Sequence, residues 1–293
     1  MSAPGTVIPA SPTGARVKLT AFRWLLLSTL VISTALLALL LVDVARDGAG
    51  QIDGDFLNKA ASFDPDKAGI YPAIMGTLWL MGVTALFIVP VGVATAVYLE
   101  EYADATKWWN RLIEVNIQNL AAVPSVVYGI LGLAFIVRGP LDLGRTVLAG
   151  GITLALLVLP VVIIVSREAI RAVPPSIREG SLALGATQWQ TIWKQVLPGS
   201  IAGIATGVIL ALSRAIGETA PLLVIGAAVN PRFNPDGLGS AFTALPIQIF
   251  AWTQDANREF VDLAAAAILV MMFALLLMNS VAIFLRNRYE QKW

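Results

Sequence analysis

The chain reads as an all-α protein that crosses a lipid bilayer six times, and three observations lead there. Apolar residues make up 57% of its 293 residues and charged residues only 13%, with a mean hydropathy of +0.76, far from the soluble globular range. Six apolar segments recur along it, each near the ~20 residues a helix needs to cross about 30 Å of hydrocarbon. The stretches between them hold almost all of the charge.

Taken in order, residues 1–20 are rich in Pro, Gly, Ser and Thr and read as a flexible cytoplasmic tail. Residues 21–293 form a single transmembrane domain. Its first span, 24–42, is long for a signal-peptide core and no convincing small-x-small cleavage site follows, so it reads as a signal anchor. The remaining spans are 73–99, 115–137, 146–165, 198–228 and 263–285. An even number of spans puts both ends on one side. The loops on that side carry twelve Lys and Arg against seven on the other, which places both termini in the cytoplasm. Within the second long outer loop, 242–252 is apolar with aromatic ends and Pro246, suited to an interfacial segment.

Composition also removes whole classes of function. The chain has no cysteine and no histidine, so thiolate chemistry, disulfides, Cys/His metal sites and imidazole acid-base catalysis are absent. A net charge of +1 gives no basic surface for nucleic acid. No G-x-x-x-x-G-K-[ST] loop occurs, so any nucleotide that drives this protein is hydrolysed on another chain. No metal site and no cofactor are expected on this one.

Residues 174–198, between spans four and five, form the most distinctive loop. Ser176 with Glu179 three positions on has the form of a capping box for a short helix. Gly185 then permits a sharp turn into a second short helix ending at Pro198. A helix-turn-helix across the cytoplasmic mouth presents Glu179, Ala183, Leu184, Gly185 and Ala186 to a soluble partner. The stretch resembles the EAA loop of ABC importer permeases, with Glu179, Gly185, Leu197 and Pro198 at its marker positions. Gly180-Ser181 stand in place of the Ala pair, and Gln195 where Ile is usual.

Span five carries Arg214 and Glu218 in an otherwise uncharged run. An ionised side chain at membrane depth costs about 2.5 to 3.5 kcal/mol on insertion scales, so such residues face a bundle interior or a wet path. On a continuous helix, Glu218 lies about 40° around from Arg214, on one face. Pro221 deprives the Gly217 carbonyl of its donor and bends the helix there. Gly199, Gly203, Gly207, Ala211 and Ala215 make a small-residue stripe for close helix packing. In span three, Pro124 frees the Leu120 carbonyl, and Ser125 and Tyr128 lie on one side with hydroxyls available.

The strings Ala121–Gly129 and Ser213–Leu223 resemble the permease subunits of phosphate ABC importers. The Ala-Pro-Leu-Leu ending is similar to the PstA-type subunit rather than the PstC-type. The resemblance implies the type I ABC importer permease architecture in a bacterial plasma (inner) membrane. It also implies a PstC-type sister permease, two ATP-binding subunits that use ATP and Mg, and an extracytoplasmic phosphate-binding protein. The pathway residues it implies are Arg214, Glu218, Ser213, Gly217 and Thr219 with Pro124, Ser125 and Tyr128. An ABC permease for another oxyanion or solute, and an ion-coupled secondary carrier, remain alternatives on the sequence.

Overall fold

The computed structural model describes residues 13–104, 106–228 and 233–289, and among these it is helical with no strand. Helix α1, Thr13–Gly48, begins inside the segment expected to be a tail; residues 1–12 lie outside the described residues. Its apolar side chains, such as Leu25, Leu30 and Leu36, are exposed, and it meets the bundle at its far end, where Gly48 lies against the backbone of Ala265 and Ala266. A helix whose apolar spanning length is unburied in its own chain has lipid or another chain as its neighbour there.

After a one-turn helix α2, Gly54–Asn58, capped by the Asp53 side chain, the bundle proper begins. Helix α3, Tyr71–Val97, ends in a π-helical turn, Tyr98–Tyr102. Helix α4, Trp108–Ala121, and α5, Ser125–Leu131, which continues as a π-helical turn Gly132–Val137, meet at an angle of 106°. The expected third span is therefore broken at Pro124. Proline removes a donor and its ring forces the preceding residue out of the helical region. Ser125 to Val137 rises only ~20 Å, too little to cross the hydrocarbon unaided. Among the described residues, five helices are long and apolar enough to span a membrane, or six if this bent pair counts as one.

Helix α6, Val147–Arg171, is the most buried of the spanning helices. Helix α3 reaches it closely at Gly151, where an added Cβ would sit 2.4 Å from Val83 Cγ1, and Thr84 donates to the Gly151 carbonyl at 3.2 Å. Helix α9, Leu197–Ile216, approaches it through the predicted glycine stripe: a Cβ on Gly207 would lie 2.2 Å from Val165 Cγ1. Small residues at crossings let backbones approach where lipid offers no hydrophobic drive between helices.

Before α9 come α7, Pro175–Ala183, and α8, Gln188–Thr191; after it come α10, Ala220–Ile225, α11, Leu245–Thr253, and α12, Arg258–Tyr289. The segment expected to lie at the interface is instead packed inside. Phe242, Ile247, Gln248 and Trp252 are buried, the Leu245 amide donates to Thr77 Oγ1 at 2.9 Å, and Trp252 sits between Phe56 and Phe260. This places α11 at the opposite end of α3 from α7.

Candidate functional site

Helix α9 ends at Ile216, and the Gly217 and Glu218 amides close on the Arg214 and Ala215 carbonyls at 3.1 and 3.2 Å. Arg214 thus occupies the last turn, where the negative end of the helix dipole favours a cation. Glu218 lies beyond the helix. Its Oε1 is 3.6 Å from Arg214 Nε, an ion pair across a helix end, too long for a hydrogen bond. The shared helix face expected for this pair is not what brings the charges together. Pro221 likewise does not kink a continuous helix: it stands in the first turn of α10, where its missing N–H costs nothing and its fixed φ favours helix.

The Arg214 side chain is 53% exposed and that of Glu218 18%. A half-open guanidinium in a membrane-crossing segment must meet water, a partner chain or a ligand. One residue earlier, Ser213 donates its hydroxyl to the Ile209 carbonyl at 2.9 Å and lies 3.0 Å from Asn279 Oδ1 of α12. Sequence reasoning passed over Asn279, although a lone amide in an apolar span is the signal. Gly217 is exposed and Thr219 half-buried beside the pair.

The second break faces this one. Gly129 of α5 packs on Pro221 and Val224, and Gly132 on Ile225, so α5 and α10 run side by side in the same direction. Residues 122–124 and 217–219 therefore lie at the same end of the paired half-helices. Pro124 is exposed and Ser125 half-buried there. Tyr128 is only 7% exposed, and its hydroxyl is already engaged, donating to the Leu120 carbonyl at 2.9 Å.

At the other end of α9 lies the predicted docking loop, with a different cap. Pro175 fills the first helical position of α7 and Pro174 caps it without a side-chain bond, so Ser176 falls inside the first turn. The capping box is instead at α8: Thr187 Oγ1 accepts from the Gln190 amide and Gln190 Oε1 from the Thr187 amide. Gly185 has φ +85° and closes α7, its amide bonding the Leu182 carbonyl and that of Ala186 the Ser181 carbonyl. This is a Schellman ending, which glycine adopts without strain. At that turn Leu184 is 91% exposed. Glu179, Ala183 and Gly185 are exposed too, Ala186 is half-buried, and Glu179 makes no ion pair among the described residues.

The second short helix does not stop at Pro198. It runs from Gln188 through a π-helical turn, Ile192–Val196, into α9 as one helix of 29 residues ending at Ile216. The π turn shifts the hydrogen-bond register just ahead of Pro198, which has no N–H to give. About 39 Å of continuous helix, at 1.5 Å per residue, thus connects the Gly185 turn to Arg214.

An ion network absent from the sequence reading anchors this loop. Glu100 accepts from Arg171 at 2.8 and 3.0 Å and from Arg167 at 3.4 Å; Arg167 also bonds Glu114 at 2.9 Å. Glu101 accepts from Arg178 of α7 at 2.8 and 3.0 Å. The signal in the sequence is a Glu pair closing an apolar span, on the side where the arginines accumulate.

Residues 88–293 match the family described as binding-protein-dependent transport system inner membrane component. The chain is 32% identical over 219 residues to the probable ABC transporter permease protein YqgI of Bacillus subtilis, covering 75% of this chain and 74% of that one. It is 37% identical over 191 residues to the phosphate transport system permease protein PstA 1 of Mycobacterium tuberculosis, covering 65% of this chain but only 61% of that protein's length. Among solved structures, a bacterial alginate ABC transporter in complex with an alginate pentasaccharide-bound periplasmic protein superposes with a TM-score of 0.66 at 16% identity, over 94% of this chain and 98% of that one. At such identity the likeness speaks for the fold, that of ABC importer permeases.

Proposed function

Because the chain belongs to the family of binding-protein-dependent transport system inner membrane components, we propose that it is the PstA-type membrane-spanning subunit of an ATP-driven phosphate importer. The observation that carries this reading is the single helix with a bare leucine turn at one end and a half-exposed arginine at the other. The turn formed by Glu179, Ala183, Leu184, Gly185 and Ala186 docks an ATP-binding subunit. Movement imposed there reaches Arg214 along the helix.

Phosphate suits Arg214, whose planar fork donates paired hydrogen bonds and stays charged at any working pH. Glu218 holds the guanidinium between passages. Ser213, Gly217 and Thr219 surround the pair, and Pro124, Ser125 and Tyr128 shape the facing break, so the path runs between the two interrupted helices. Backbone without helical bonds is tolerated at membrane depth only where it is buried in protein or lines a cavity. A PstC-type sister permease supplies the other half. Two ATP-binding subunits use ATP and Mg, and an extracytoplasmic phosphate-binding protein delivers the anion. Both termini lie in the cytoplasm of a bacterial inner-membrane protein.

The decisive experiment purifies the tagged chain from its own membrane, identifies the co-purifying proteins, and measures phosphate uptake by vesicles containing the complex. Co-purified ATP-binding subunits and uptake that requires ATP are expected. Uptake that survives ATP depletion but collapses with the proton gradient would assign the chain to the ion-coupled carriers.

A further inference from the structure

We propose that Arg178 and Glu101 form a clamp that fixes the docking helix α7 to the end of α3, so that movement received at the Gly185 turn is delivered to α3 as well as to α9. This rests on the reading of that turn as the ATPase contact. Helix α9 needs no such device, because α8 continues into it. Helix α3 does, since its end lies 77 residues from α7 along the chain.

The geometry of Arg178 is that of a hub. Its Nε and Nη2 straddle Glu101 Oε1 at 3.0 and 2.8 Å, while Nη2 also reaches the Ile170 carbonyl at 2.9 Å and Nη1 the Val173 carbonyl at 2.5 Å. Ile170 lies in the last turn of α6, where its carbonyl also takes the Val173 amide at 3.2 Å, and Val173 lies just past the helix end. One guanidinium therefore joins α3, α6 and α7. A lysine carries the charge but not the fork that serves three acceptors at once. The pair is poorly solvated, with side chains 21% and 9% exposed, so salt screens it little.

The π-helical turn at the end of α3 completes the arrangement. Neighbouring residues on a helix face different ways, and here Glu100 turns to Arg167 and Arg171 of α6 while Glu101 turns to α7. A further bond, Gln188 Nε2 to the Glu101 carbonyl at 2.6 Å, ties the start of α8 to the same turn. Both arms of the docking loop thus grip one point on α3.

The test uses the complete transporter in vesicles, with Arg178→Met, Arg178→Lys and Glu101→Gln. Each variant is expected to assemble with its partners, and phosphate uptake per ATP hydrolysed should fall at least fivefold in Arg178→Met and Glu101→Gln and less in Arg178→Lys. Uptake per ATP within twofold of normal in both, or uptake that falls only in proportion to the amount assembled, overturns the proposal. A second readout is independent of the transported solute. Spin labels on Ser176→Cys and Ala94→Cys, in this cysteine-free chain, should report one narrow separation with and without nucleotide, and a broad one once Arg178→Met is added. An unchanged distribution in that variant sinks the clamp. Absence of phosphate uptake by the unsubstituted complex would count against the phosphate reading alone.

Discussion

Tyr128 donates its hydroxyl to the carbonyl of Leu120 at 2.9 Å, across the break that Pro124 makes between them. The proline frees an acceptor inside a membrane protein, and a side chain eight residues further on answers it, with the Val123 amide at 3.1 Å as second donor. A break secured on both sides by its own sequence is a built part of the fold.

Tyr128→Phe removes that donor and leaves the ring. A net intramolecular hydrogen bond contributes about 1 kcal/mol, so thermal unfolding in detergent should shift down modestly while uptake stays near normal. Lost uptake at unchanged stability would instead give the hydroxyl to the transported anion.

The six apolar segments were legible because apolar runs of this length have few alternatives. The breaks inside two of them were not. Gly217 followed by Thr219-Ala220-Pro221 is a helix stop and a helix start in close succession, yet the apolar run continues past both, so Pro221 read as a kink. At the docking loop, Ser176 and Glu179 had the spacing of a capping box, but two prolines start α7 earlier and leave the serine inside it. Glu101 is visible as a charge closing a span and Arg178 as a charge in the docking loop. Their pairing across 77 residues depends on how α3 and α6 pack, which no local pattern records.

The turn at Gly185 makes a sharper test of docking than charge removal does. Gly185→Val forces a β-branched residue into φ +85°, a region only glycine enters without strain. Leu184→Asp leaves the backbone alone and spoils the exposed apolar tip. Both should leave the chain in the membrane and reduce ATP-dependent uptake at least tenfold, with Leu184→Asp also lowering the yield of co-purified ATP-binding subunits. Full uptake in both would remove the turn from coupling.

The proposed orientation rests on the asymmetry of Lys and Arg between the two sets of loops. Single cysteines can report it because the chain has none of its own. An impermeant thiol reagent outside intact cells should label Gly50→Cys and Asn234→Cys and spare Ser176→Cys until lysis. Positions 50 and 176 are both exposed, so protection at 176 would reflect sidedness and not burial. Labelling there before lysis inverts the topology and takes the docking assignment with it.

Arg214 and Glu218 admit two explanations that their geometry separates. A structural pair neutralises itself; a transport pair works because the arginine stays available. At 3.6 Å and with more than half of its side chain exposed, Arg214 is loosely held, and removing a loose pair should cost the fold little. Arg214→Lys keeps the charge and loses the fork, so assembly should persist while uptake falls about tenfold or more, on the order of 1.4 kcal/mol in the transport barrier. Arg214→Gln should abolish uptake. The discriminating variant is Arg214→Leu combined with Glu218→Leu, which leaves no unpaired charge in the membrane. If the pair only holds the helix end together, vesicles with the double variant regain near-normal uptake, once equal assembly is verified. If Arg214 meets the anion, they remain inactive.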